Sequence, residues 1–213
     1  MISLHKGPVP NILQINAEAW TQAVVAKVAA GIEITAAEKG RYRHQEIKTA
    51  LLAETHDKCA YCESKVRHIA YGDIEHIVPK SNVPERWFDW TNLTIACDIC
   101  NTRKSDFHGG ADTFIDPYLM DPTEHLRFIG PLVIAAPGSN PGAATERILD
   151  LNRAALVERR TEKVRNIIRH LDVIARTPDA DVKELLLNDF QNELSDEREY
   201  AAVARATYVA SLG

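Results

Sequence analysis

Apolar positions along this chain change their spacing several times, and each change marks an element. Residues 1–15, interrupted by Pro8 and Pro10, read as an irregular arm. Asn16 is placed to cap a helix over Ala17–Ala30, which Gly31 closes. Thr35 followed by Glu38 is a capping box, and it predicts a second helix running to about Glu54. That helix carries a basic-aromatic cluster, Arg41 to His44, which reads as a solvated face or a partner contact. Between Lys58 and His108 the spacing shortens to alternation, predicting strands near Lys65–Ala70, Ile74–Val78 and Leu93–Ala96, and a short helix from Asp98. Pro and Gly are frequent from Ala111 to Gly142, with one short strand in "PLVIAA". After Ala144 the apolar positions (Ile148, Leu151, Leu156, Val164, Ile167, Ile168, Leu171) fall at helical spacing. Thr177-Pro178-Asp179 breaks that run, and helices follow at about Ala180–Asn192 and Asp196–Leu212.

The pattern describes a mostly helical α+β chain in three segments. An N-terminal arm and two helices occupy 1–56, a strand-bearing core occupies 57–143, and a helical region fills 144–213. Composition adds little, being that of an ordinary globular protein with 45% hydrophobic and 26% charged residues. The most apolar early stretch, "AWTQAVVAKVAAGIEI", contains Lys27 and Glu33 and is too short for a bilayer. No signal core precedes it, so a soluble, cytoplasmic chain is expected. Net charge is −5, and its distribution matters more. The segment from Thr177 onward holds eight acidic and three basic residues and accounts for the whole excess. Basic patches elsewhere remain free to meet phosphate. Arg159, Arg160, Lys163 and Arg169, on the first long C-terminal helix, are one such patch, read by default as a solvated face and otherwise as a DNA-backbone rail.

The cysteines sharpen the picture. All four fall into two C-x-x-C pairs, "CAYC" (Cys59, Cys62) and "CDIC" (Cys97, Cys100). A disulfide framework belongs to secreted chains and fits poorly here. Two such knuckles suit a tetrahedral zinc ion, each offering a pair of thiolates. The 34 residues between the knuckles exceed the usual compact-finger interval, so something is inserted. The insert contains "DIEHIVPKS", in which Glu75 and His76 occupy adjacent positions of a strand that Pro79 stops. Neighbouring strand positions face opposite ways, so this polar pair needs two satisfied environments rather than one.

In order, the insert offers Glu75, His76, Asn92 before a short apolar strand, Asn101 directly after Cys100, and Lys104 a turn later. This series resembles the HNH nucleases, whose ββα-metal finger packs a hairpin and a helix around one divalent cation. The wording "CAYCE", "EHIVPK", "FDWTNL" and "C-x-x-CN-x-x-K" is similar to the nuclease subunit of Septu-type and retron-associated anti-phage systems. The likeness is strong from Cys59 to Asp106 and weak through "IDPY" (Ile115–Tyr118) and "ILDLNR" (Ile148–Arg153). It implies a finger stapled from outside by a structural zinc ion held by all four cysteines. It also implies hydrolysis of DNA to a 5′-phosphate and a 3′-hydroxyl, alongside an ABC-type ATPase partner.

By that resemblance His76 is the general base and Asn92 holds its ring or the flanking backbone. Glu75 and Asn101 offer oxygens to Mg²⁺ or a similar cation, with Asp73 a further ligand on the same strand face. Lys104, with Arg103 beside it, is expected to face phosphate, or else to cap its helix. Many relatives carry Asp where this chain has Glu75, one methylene longer. His108 and Asp112 are weaker candidates for the metal, and Asp116 for bracing the site. The aromatics of "RWFDW" (Arg86–Trp90) read as pins holding a loop to the core, with base stacking as the alternative. A non-catalytic zinc module that binds nucleic acid or a partner, and a scaffold for the ATPase, are the alternatives.

Overall fold

A computed structural model describes residues 1–66, 72–107 and 113–212. The first helix, α1, spans Asn11–Ala29. It starts six residues ahead of the expected cap because Pro10, fixed near φ −58°, turns its carbonyl onto the amides of Leu13 and Gln14. Asn16 lies inside the helix and donates to the Ile12 carbonyl. The Thr35–Glu38 capping box forms, but the helix it opens, α2 (Ala36–Gly40), is short. A 3₁₀ turn over Arg41–Arg43 follows, and α3 (Gln45–Glu54) restarts on the His44 ring, which accepts from the Glu46 amide. The expected single helix is therefore broken, and the break turns Tyr42 into the core, 4% exposed.

Strand β1 (Asp73–His76) pairs antiparallel with β2 (Leu93–Ala96), in the register Asp73↔Ala96, Glu75↔Thr94, His76↔Leu93. Gly72 delivers the chain into β1 at φ +62°, where a Cβ would press on Val66 and Ile95 at 3.0–3.1 Å. The helix after the second knuckle, α4, spans Asp98–Lys104 and starts on Cys97, whose sulfur accepts from the Cys100 amide. The strand expected over 65–70 falls mostly outside the described residues. A second hairpin follows a short helix α5 (Pro122–His125): β3 (Leu126–Ile129) with β4 (Leu132–Ala135). Only its second strand is legible in the apolar pattern.

The run after Ala144 is two helices, α6 (Asn140–Leu149) and α7 (Ala154–Arg176), parted at Asp150, which adopts a left-handed φ of +47°. α8 (Ala180–Glu193) and α9 (Ala201–Ala210) complete the described chain. The main apolar core draws on all three segments: Leu13 and Leu51 from the first, Leu93, Ile95 and Ile115 from the second, Leu149, Leu151 and Val203 from the third. A smaller cluster, Ile167, Ile174, Phe190 and Ala204, joins α7, α8 and α9. Among the described residues no helix is long and apolar enough to cross a membrane.

Candidate metal-finger active site

Both knuckles close on one point. The sulfurs of Cys59, Cys62, Cys97 and Cys100 lie within 4.8 Å of one another, and Cys62 to Cys97 is 3.8 Å. Zn–S bonds of about 2.3 Å in a tetrahedron place sulfurs roughly 3.8 Å apart, so the spacing fits zinc. The chemistry fits as well. Hydrogen bonding from Cys100 holds the Cys62 thiol well below the usual range, while burial pushes Cys59 up. Four sulfurs so crowded become thiolates together only around a cation. Arg153 supplies part of that charge from outside, with its guanidinium 3.6 Å from the Cys100 sulfur and 3.9 Å from that of Cys97.

The alternation of β1 sorts the polar pair by face. Glu75 points to α4, where its Oε1 accepts from Lys104 at 2.7 Å, and Lys104 also donates to the His76 carbonyl at 2.9 Å. Two residues back on the same face, Asp73 accepts from the Asn101 amide at 3.3 Å. Strand positions i and i+2 thus meet helix positions i and i+3. Burial raises the Glu75 carboxyl, an effect that Lys104 opposes. Lys104 is placed differently from the phosphate-facing residue expected. It is 1% exposed, because a buried carboxylate demands a cation more strongly than solvent retains one. Arg103, half exposed, pairs with Asp150 at 2.9 Å.

On the other face, the His76 ring is 5% exposed and its Nε2 lies 2.9 Å from the Trp87 carbonyl. A carbonyl only accepts, so that nitrogen carries the proton and Nδ1 keeps the lone pair. Burial lowers the imidazole to about 4, with the charges of Lys80 and Lys104 adding to the effect, so the ring is neutral at neutral pH. Tyr42 meets it edge-on at 4.7 Å. Asn92 is fully buried, and its side-chain hydrogen bonds go to the flanking backbone and not to the ring. Its Oδ1 accepts from the Val78 amide, and its Nδ2 donates to the Val78 and Arg86 carbonyls, all at 2.7–3.0 Å. It therefore ties the chain just past His76 to the chain just before Trp87, the residue that fixes the ring.

The remaining candidates are placed as follows. Trp87, Phe88 and Trp90 are buried pins, as read from the sequence. Asp116 accepts from the Tyr118 amide, and the Tyr118 hydroxyl meets Thr94 and Glu54 behind β2. His108 and Asp112 lie outside the described residues. The cationic rail on α7 is taken up only in part, and Arg169 stays exposed. Arg160 is buried and donates to the Leu151 carbonyl, Lys163 pairs with Glu193, and Arg159 pairs with Glu162. Sequence reasoning misses the roles of Tyr42 and Arg153, although it marks both stretches, "RYRH" and "ILDLNR".

Comparison with known proteins agrees with this geometry. Residues 59–107 match the HNH endonuclease family. The chain is 33% identical over 82 residues to the Septu protein PtuB of Bacillus thuringiensis, covering 38% of this chain and 32% of that protein. It is 27% identical over 157 residues to the Septu protein PtuB of Bacillus mycoides (strain KBAB4), covering 59% and 53%. The chain thus spans between about a third and a half of the length of these relatives. With its paired knuckles and hairpin, the segment 59–107 is thus matched to the HNH endonuclease family, within a longer and mostly helical chain.

Proposed function

We propose that this protein is a metal-dependent endonuclease that hydrolyses DNA phosphodiester bonds, the cytoplasmic nuclease of an anti-phage system working with an ABC-type ATPase partner. The observation that carries the reading is His76: a buried, neutral imidazole whose Nε2–H is pinned to a carbonyl, leaving Nδ1 as a proton acceptor. Asn92 is the positioning residue that maintains this geometry. Asp73, Glu75 and Asn101, on one face between β1 and α4, offer the hard oxygens that suit Mg²⁺. The cation, when bound, supplies charge stabilisation at the phosphate and leaving oxygen. Arg103, half exposed on α4, is a nearby cation for the backbone. The four-cysteine zinc site holds the scaffold.

The test is plasmid nicking with Mg²⁺ and with EDTA, using wild type and His76→Ala. The expectation is Mg²⁺-dependent cutting by wild type and none by His76→Ala, with zinc content and circular dichroism unchanged. Cutting retained in the variant eliminates His76 as the base. Wild type that never cuts, with partner and Mg²⁺ present, favours the non-catalytic zinc module, a reading that the Glu75–Lys104 pair in this structure also accommodates.

A further inference from the structure

Most of the cations that sequence alone assigns to phosphate are already engaged: Lys104 with Glu75, Arg103 with Asp150, Arg159 with Glu162 and Lys163 with Glu193. Arg160 is buried, and the exposed Arg169 lies on α7, away from β1. Two others near His76 form no ion pair with a carboxylate among the described residues, although Lys80 acts on Glu75 at longer range. Lys80 donates to the Tyr42 hydroxyl at 3.1 Å, and its Nζ lies 4.8 Å from the Tyr42 ring centre and 5.5 Å from that of Trp87. Tyr42 touches the His76 ring, and the Trp87 carbonyl holds it. Lys80 is therefore held between the two residues that bracket the candidate base. Arg43, exposed, covers the same Tyr42 ring at 5.5 Å. Aromatic faces hold such cations in place without neutralising them, so their charge stays available to an anion.

We propose that Arg43 and Lys80 form a phosphate-binding wall beside His76, so that the segment preceding the HNH finger supplies part of the DNA contact. This rests on the nuclease reading above. The 3₁₀ turn at Arg41–Arg43 acquires a purpose on this view. It turns Tyr42 inward against the imidazole and leaves Arg43 outward over the same ring. The wall recognises the DNA backbone rather than base edges, so it carries affinity and register without sequence preference.

Each phosphate contact on duplex DNA contributes about 0.9 to the slope of log affinity against log salt. At 0.15 M salt that corresponds to roughly fivefold in affinity per contact, taking 1 M as the reference. The experiment is fluorescence anisotropy of zinc-loaded full chain with labelled duplex DNA in Mg²⁺-free buffer across a salt series. Wild type, Arg43→Gln/Lys80→Gln, Arg43→Lys/Lys80→Arg and Arg159→Gln are compared, with circular dichroism and zinc content as folding checks. The expected result is a slope lower by about 2 for the double glutamine variant and binding weaker by roughly 25-fold. The charge-retaining pair should keep most of the wild-type slope, and Arg159→Gln should match wild type. Unchanged slope and affinity in the folded double glutamine variant would overturn the wall while leaving a cutting wild type as a nuclease. Wild type that neither binds nor cuts DNA would overturn both.

Discussion

Lys104 is the residue whose removal tests the electrostatics of the finger most directly. Lys104→Met keeps most of the stem and deletes the ammonium. Glu75 then keeps a carboxylate that is 6% exposed and has lost its cation at 2.7 Å, while the His76 carbonyl loses a donor at 2.9 Å. At an effective dielectric of about 20 the lost attraction is roughly 6 kcal/mol. Burial already pushes the Glu75 carboxyl up and losing Lys104 pushes it further, so the protonated form becomes more accessible and recovers part of that loss. Breaking a buried pair from one side costs about 3–5 kcal/mol, and that is the expected destabilisation. Lys104→Met/Glu75→Gln removes both charges and should lie within about 1.5 kcal/mol of wild type. Urea unfolding of zinc-loaded protein without Mg²⁺ reads both. With a slope near 2 kcal/mol/M, the single variant should lose about 1.5–2.5 M in midpoint and the double under about 0.8 M. Millimolar Mg²⁺ should stabilise Lys104→Met more than wild type, since the carboxylate is free to meet it. A single variant within about 1 kcal/mol of wild type, or a double no better than the single, would refute the reasoning.

Further outcomes follow from other contacts. Cys100→Ser should lose zinc and cooperative unfolding together, because metal binding at such a site is folding free energy; a zinc assay beside circular dichroism measures both. Arg153→Ala should release zinc to a chelator several-fold faster with helicity intact, and Arg153→Lys should fall between, since the guanidinium meets two sulfurs at 3.6 and 3.9 Å. Asn92→Ala leaves the Val78 amide and the Val78 and Arg86 carbonyls without their buried partner. It should cost about 2–4 kcal/mol by denaturant and reduce cutting even where it folds. Glu38 is held near 2 by hydrogen bonds from Lys27 and then Thr35. A depressed acid stabilises above its ordinary value of 4.5 and loses that contribution as pH falls toward 2, so amide protection of Ala36–Gly40 should drop across that window. In Glu38→Gln the protection should stay flat.

How far the sequence can be read depends on whether an element is decided locally. The β2 strand, the capping box and the cysteine pairing are local, set by alternation, a three-residue hydrogen-bond loop and ligand count, and each is found where expected. The helix break at Gly40–His44 is decided by Tyr42 packing on His76, 34 positions away in the chain, and no helical periodicity carries that. The turn at Asp150 likewise depends on distant partners. Asn152 bonds both the amide and the carbonyl of Val133, Arg103 pairs with Asp150, and Arg153 reaches the knuckle sulfurs. Lys104 departs from expectation for a related reason: spacing puts it near the site, but only the burial of Glu75 decides that it faces inward.

The same alternation explains why one finger needs two supports. A slip of one residue in the β1–β2 register would send Glu75 toward Tyr42 and His76 toward Lys104, exchanging every polar environment in the site. Asn92 prevents this by bonding the backbone on both sides of the turn after β1, and Gly72 sets the entry. Once the register is held, the acidic face is completed by α4, inside the HNH-matching segment, and the imidazole face by Tyr42, which lies before it. The carboxylates and the helix that meets them thus lie within the HNH-matching segment, as does the Trp87 carbonyl that holds the imidazole, whereas Tyr42, which packs on that ring, lies before it. Variation in the segment around Arg41–His44 should alter how DNA is held without altering which residues could bind the metal.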